Sequence, residues 1–336
     1  MLLSLLAVSA IVPSALLVWY FHARDVYPEP PRVLWTTFGI GVLSVIPVLA
    51  IGLPLQSATS SIADPVTASL LSALFVAAVL EELAKLSVLV GYNMRHKAFD
   101  EPMDGIVYGV VASLGFATLE NVLFVFEGGL SVALSRAFSA VPLHAFVGAI
   151  MGYYVGQAYF KPDRRLRLIL TGYGIAVLLH ALYDFPLMAM AEVEDARVAL
   201  AFALLTLIVL LVCWRWTIRL VRKLHAEQLL ASAGGDAASA ATSAPRVLLP
   251  LHQRVGHLLV AIIGGTMASF GGMVTLGLSL AFIIGVVQRE HAVDVLIGGA
   301  LIGLVPLAVG IVIFRTGIRG MNAGAPAPVA ATASGG

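Results

Sequence analysis

Long apolar runs, broken by short polar and charged segments, recur along the whole chain. A helix needs about 20 mostly apolar residues to cross a bilayer. The pattern predicts nine such segments, at about 2–21, 33–53, 66–91, 104–126, 135–159, 167–190, 198–218, 256–286 and 292–314. The eighth is long and glycine-rich, and reads as one tilted helix or as a helix broken near Gly271 and Gly272. Between the seventh and eighth, the small and polar stretch from Ala231 to Pro245 reads as part of a flexible cytoplasmic linker. The expected organisation is an all-α, polytopic transmembrane helix bundle. Residues 1–224 form a seven-span core, 225–255 the linker, 256–318 a two-helix hairpin and 319–336 a disordered tail. In the hairpin, Gly264, Ala268 and Gly272 recur at four-residue spacing and give a small-residue face for close helix packing.

Composition agrees with that reading. The 336 residues are 60% hydrophobic and 12% charged, against roughly 25% charged in soluble domains. The net charge of +1 gives no electrostatic case for a nucleic-acid partner. Cys213 is alone, so no internal disulfide can form. A secretory signal begins with positive charge, whereas no Lys or Arg precedes Arg24 and the first run ends on the aromatic edge Trp19, Tyr20 and Phe21. The first segment is therefore expected to be a retained span. With the N-terminus outside, 16 of the 20 basic residues fall inside, Arg136, Arg197 and Arg289 fall outside, and Lys85 lies within a span. The positive-inside rule favours this orientation, which puts the C-terminus in the cytoplasm.

Polar groups inside the spans change the picture from a membrane protein to a membrane protein with chemistry. An ionisable side chain at the bilayer centre costs about 2.5–3.5 kcal/mol on insertion scales, and four consecutive spans carry some. The third holds Glu81, Glu82 and Lys85, the fourth Glu120 and Asn121, the fifth His144, and the sixth His180 and Asp184. Glu81 and Lys85, four apart, share a helix face and can pair. Glu82 lies about 100° round the helix and is expected to face elsewhere, available as a base. Asp184, four residues beyond His180, can orient the imidazole. All lie within roughly 10 Å of the midplane at 1.5 Å per residue, so one site is possible.

Blander roles suit the neighbours. Phe116 reads as a packing residue, Cys213 as a lipid-facing or packing residue, and His144 or Asn121 taken singly as interhelical glue. Tyr183 divides evenly between interface and site. Glu127, Arg136, Glu192, Glu194 and Asp195 read as solvated charges at span ends. A divalent metal on His144, His180, Asp184 and Glu120 is one alternative, although no His-Glu-x-x-His occurs. A transporter with these groups as a proton relay, or a non-catalytic membrane scaffold, are others. The transporter predicts inverted repeats, and the core shows none.

Taken together, Glu81-Glu82-x-x-Lys85, Phe116-x-x-x-Glu120 with Asn121, His144, and His180-x-x-x-Asp184 resemble the PrsW family of glutamic-type intramembrane proteases. That family is related to the CAAX-prenyl endopeptidases and the bacteriocin-processing membrane proteases. The segment Asp25–Pro30 is similar to a loop common in the family, and the resemblance covers about residues 15–190. It implies a protease of a bacterial or archaeal membrane that cuts single-span membrane proteins, anti-sigma factors among them. No cofactor is expected, with the divalent metal on His144, His180, Asp184 and Glu120 kept as the alternative. The base falls to the Glu81/Glu82 pair, Glu81 being favoured by its place in the motif, and Lys85 sets the charge of the pair. His180 and His144 would polarise the carbonyl or protonate the leaving amine. Asn121 would donate to the oxyanion, and Glu120 would share the base role or hold the water.

Overall fold

A computed structural model describes residues 2–232 and, beyond them, Arg246, Val247, Ile311, Ala325 and Pro326. Apart from those few positions, the expected linker after 232, the hairpin and the tail lie outside the described residues. Arg246 and Val247 pair antiparallel with Pro326 and Ala325.

The rest is helical. In chain order come α1 (Leu2–His22), α2 (Pro31–Leu43), α3 (Val45–Ser60), α4 (Pro65–Leu71), α5 (Leu80–Gly91), α6 (Pro102–Phe138), α7 (Ala140–Phe160), α8 (Arg165–Met190) and α9 (Ala196–Ser232). α9 runs on past residue 225, where the linker was expected to begin. Five runs among the described residues are long and apolar enough to cross a membrane: Pro31–Ser60, Pro102–Gly129, Ser131–Phe160, Pro162–Met190 and Ala196–Ala231.

The breaks between elements have local causes. Pro47 has no N–H for the Leu43 carbonyl and its ring crowds that group, and the chain turns from α2 to α3 at Ser44. Pro142 stands in the same relation to Phe138, and Ser139 leaves helical geometry there. Inside α6 the backbone breaks at Gly129 (φ 69°, ψ −159°), a region essentially reserved for glycine. α6 starts on Pro102, with Asp104 Oδ2 accepting from the free N–H groups of Asp100 at 2.7 Å and Glu101 at 2.8 Å. Asp64 caps α4 through the Thr67 N–H at 2.8 Å.

α6 and α7 form the buried centre, and α2 and α3 lie largely exposed on the outside. Lipid gives helices no hydrophobic reason to associate, so close backbone packing does that work. Gly105 and Gly109 on α6 face Gly148, Gly152 and Gly156 on α7, and a Cβ on any of these would overlap the opposing backbone. Gly148 and Gly152 follow His144 at four-residue spacing on α7, and the facing pair on α6 completes that contact. α2 crosses the other side of α6 in the same way, Gly41 against the Ala112 carbonyl and Gly115 against that of Phe38. Large apolar side chains such as Trp35, Leu53 and Leu166 point outward, as suits a lipid surround.

Between α4 and α5 the chain forms a π-helical segment, Ser72–Val79. Each π turn takes an extra residue and so rotates the residues beyond it relative to an ideal helix. Glu81, Glu82 and Lys85 come directly after it. The Tyr173 hydroxyl of α8 donates to the Val79 carbonyl at 3.0 Å, holding the end of this segment.

Candidate active site

Lys85 stands at the middle of the polar cluster. Its side chain is wholly buried, and an ammonium has three N–H donors. Nζ lies 2.7 Å from Glu82 Oε1, 3.3 Å from Glu81 Oε2 and 2.9 Å from His144 Nδ1, so all three are used. The Phe116 ring lies beneath it, 4.5 Å from Nζ to the centroid, which makes Phe116 a cation–π partner as well as a packing residue.

These contacts fix the histidines. Lys85 can only donate, so His144 Nδ1 accepts, and its Nε2–H donates to Glu120 Oε2 at 2.9 Å. His144 is thus a neutral imidazole. His180 differs. Its Nδ1 is 2.8 Å from Glu82 Oε1 and its Nε2 is 3.0 Å from Asp184 Oδ2. Both neighbours are acceptors, so both nitrogens donate and the ring is the cation. The two rings meet edge to face at 5.2 Å between centroids.

The structure therefore brings Glu81, Glu82, Lys85, Glu120, His144, His180 and Asp184 together from α5, α6, α7 and α8. Two expectations need correction. Glu82 does not face away from Lys85: the i,i+3 spacing also brings it into reach, and it makes the shorter contact. Glu81 is the less engaged carboxylate, 3.3 Å from Lys85 and 3.9 Å from His180 Nε2. Its side chain is 10% exposed against 1% for Glu82. Nor is Arg136 a solvated loop charge. Beyond the break at Gly129 the chain returns it to the cluster, where Nη2 lies 2.8 Å from Glu120 Oε2 and Nε donates to Asn121 Oδ1 at 3.0 Å. One local signal hinted at this, the Gly128-Gly129 pair that permits the bend. Asn121 is buried, and its side-chain oxygen is taken up by Arg136. Tyr183 and Cys213 are buried, whereas Glu127, Glu192, Glu194 and Asp195 are exposed.

The same donors also suit a metal ion. Glu81, His144 and His180 each offer a ligand atom within 4.8 Å of the others. Two imidazoles and one carboxylate are a recognised zinc donor set, and carboxylates behind both rings are the usual support for ligating histidines. The residues fit such an ion by type and spacing. Lys85 holds an oxygen of Glu81 and a nitrogen of His144, so an ammonium and a metal ion would compete for these two side chains.

Comparison with known proteins gives the cluster its context. The family model described as "PrsW family intramembrane metalloprotease" matches residues 29–214. Protease PrsW of Geobacillus kaustophilus (strain HTA426) is 38% identical over 182 residues, covering 54% of this chain and 79% of that protein. Protease PrsW of Bacillus subtilis (strain 168) is 38% identical over 186 residues, covering 55% and 83%. Protease PrsW of Clostridioides difficile (strain 630) is 31% identical over 187 residues, covering 53% and 77%. No solved structure gives a significant match. The matched region runs from the α1–α2 loop to the middle of α9 and contains every member of the cluster. The chain belongs to the PrsW family of intramembrane proteases.

Proposed function

We propose that this protease hydrolyses peptide bonds with water activated by Glu81, in a cluster held charged and ordered by its own side chains. Four carboxylates (Glu81, Glu82, Glu120 and Asp184) face three cations (Lys85, Arg136 and the His180 imidazolium). Glu82 is taken up by Lys85 and His180, Glu120 by Arg136 and His144, and Asp184 by His180. Glu81 is left with the longest contacts and more exposure than Glu82, which suits a base that must accept a proton from water. His180, carrying a proton between Glu82 and Asp184, is placed to deliver it to the leaving amine. Arg136 and His144 hold Glu120 from two directions, which offsets its negative charge beside the developing oxyanion. The single observation that carries this reading is Lys85, whose ammonium bridges Glu81 and His144.

The family description favours a second reading, in which Glu81, His144 and His180 hold a divalent metal. When bound there, zinc would supply Lewis acidity and a water of lowered pKa. The two readings separate on one experiment. Protein reconstituted in lipid is stripped with a membrane-permeant chelator and assayed on a single-span peptide, then given zinc. Undiminished cleavage in the stripped protein supports the Glu81 reading. Loss with the chelator, restored by zinc, overturns it in favour of the metal.

The protein's setting belongs to the same reading. We place it in a bacterial cell membrane with about nine spans, N-terminus outside and C-terminus cytoplasmic, acting on single-span membrane proteins such as anti-sigma factors. The basic-residue asymmetry supports the orientation, and the substrate class rests on the family alone.

A further inference from the structure

A second acidic cluster lies at the other end of α6, where the α1–α2 loop, the start of α6 and the end of α9 meet. It takes no part in the chemistry above. Asp104 and Glu120 are separated by about 24 Å of helix at 1.5 Å per residue. Asp25, Glu29 and Asp104 are at least nine-tenths buried, and Glu101 is half-buried.

The cluster has few donors. The Gln228 side-chain amide donates to Asp25 Oδ1 at 2.6 Å and to Glu101 Oε1. The Tyr27 N–H reaches Asp25 Oδ1 at 3.1 Å, and the Tyr108 hydroxyl donates to Glu29 Oε2. Asp104 Oδ2 is committed to the α6 cap. That leaves Asp25 Oδ2 and Asp104 Oδ1 buried with no N–H or hydroxyl donor, the Asp25 carboxyl against that of Glu101 and the Asp104 carboxyl against that of Glu29. Among the described residues, no ion pair joins any of the four to a lysine or arginine. His22 and the backbone-bonded His225 are the nearby titratable neighbours of Asp25. Facing carboxylates that are buried with so few donors and no lysine or arginine are costly unless a shared proton or a bound cation offsets their charge.

The spacing suggests what offsets that cost. Asp25, Glu101 and Asp104 each offer an oxygen within 4.8 Å of the others. Calcium binds oxygens at about 2.3–2.6 Å, so oxygens on opposite sides of it stand about 4.6–5.2 Å apart. The donors are carboxylates without a histidine or thiol, which selects a hard cation over zinc. We propose that Asp25, Glu101 and Asp104, backed by Glu29 against Asp104, bind a hard divalent cation of the calcium or manganese type. The ion would fasten the α1–α2 loop and, through Gln228, the end of α9 to the start of α6, the helix that carries Glu120.

Full-length protein in nanodiscs, stripped with EDTA, is titrated with Mn²⁺ and followed by electron paramagnetic resonance. The proposal predicts a single tightly held Mn²⁺, displaced by Ca²⁺ and showing no nitrogen modulation in spin-echo spectra. It predicts loss of that ion in Glu101→Gln and in Asp25→Asn, and retention in His144→Ala. Each variant's metal-free thermal midpoint serves as a folding control, since removing one of several crowded carboxylates relieves repulsion. Added Ca²⁺ should raise the midpoint of the wild type and leave that of Glu101→Gln unmoved. Absence of bound Mn²⁺, with the carboxyls sharing protons instead, would overturn the proposal. So would nitrogen modulation with loss in His144→Ala, which assigns the ion to the intramembrane cluster, or undiminished binding in Glu101→Gln.

Discussion

Lys85 and Arg136 divide the work of neutralising the intramembrane carboxylates. Lys85 has no exposure and three acceptors, so removing it strands Glu81 and Glu82 side by side. Breaking a buried ion pair by deleting one partner costs about 3–5 kcal/mol. Lys85→Met should therefore lower the thermal midpoint sharply, and adding Glu82→Gln to it should recover part of the loss, because one stranded charge is gone. A double variant no more stable than the single would contradict this pairing. Arg136 acts one step back, orienting Glu120 and through it His144. Loss of such a support typically lowers activity by about 10- to 100-fold. Arg136→Gln is expected to reduce the cleavage rate by that order while the protein stays folded, and an unchanged rate in lipid would remove Arg136 from the site.

At the scale of elements, two departures from regular helix aim the cluster. The π-helical segment ahead of α5 sets the rotation of Glu81, Glu82 and Lys85. The glycine break in α6 returns Arg136 to Glu120. The first was not legible in the sequence, and the second only as the Gly128-Gly129 pair. Apolar periodicity cannot distinguish a π turn from an α turn over Ser72–Val79, where almost every residue is apolar or small. The break needs only Gly129, one of many glycines. The polar residues were legible for a plain reason: each stood out against an apolar run where a charge is expensive. Reading Glu82 as facing away from Lys85 failed because a lysine stem is long enough to reach both i−3 and i−4. Gly129→Ala tests the second device. Alanine at that φ and ψ costs about 1–3 kcal/mol, so the limb carrying Arg136 should shift. Cleavage should fall toward the level of Arg136→Gln, with little further loss when the two are combined. Additive losses would show that the bend serves something else.

The whole molecule reads as a tight glycine-packed centre, α6 on α7, that fixes His144 and Glu120, with α5 and α8 bringing acids and a second imidazole to it from either side. The apolar outer helices face lipid, while the acidic cluster at the start of α6 gathers three separate segments at the far end. On the proposed reading, the reactive carboxylate is the one whose partners hold it least, Glu81. The most direct test compares wild type with Glu81→Gln, each reconstituted in lipid, on a panel of single-span peptides. The variant should keep the wild-type thermal midpoint and membrane insertion and lose cleavage of every peptide. Cleavage by Glu81→Gln at the wild-type rate would contradict the account.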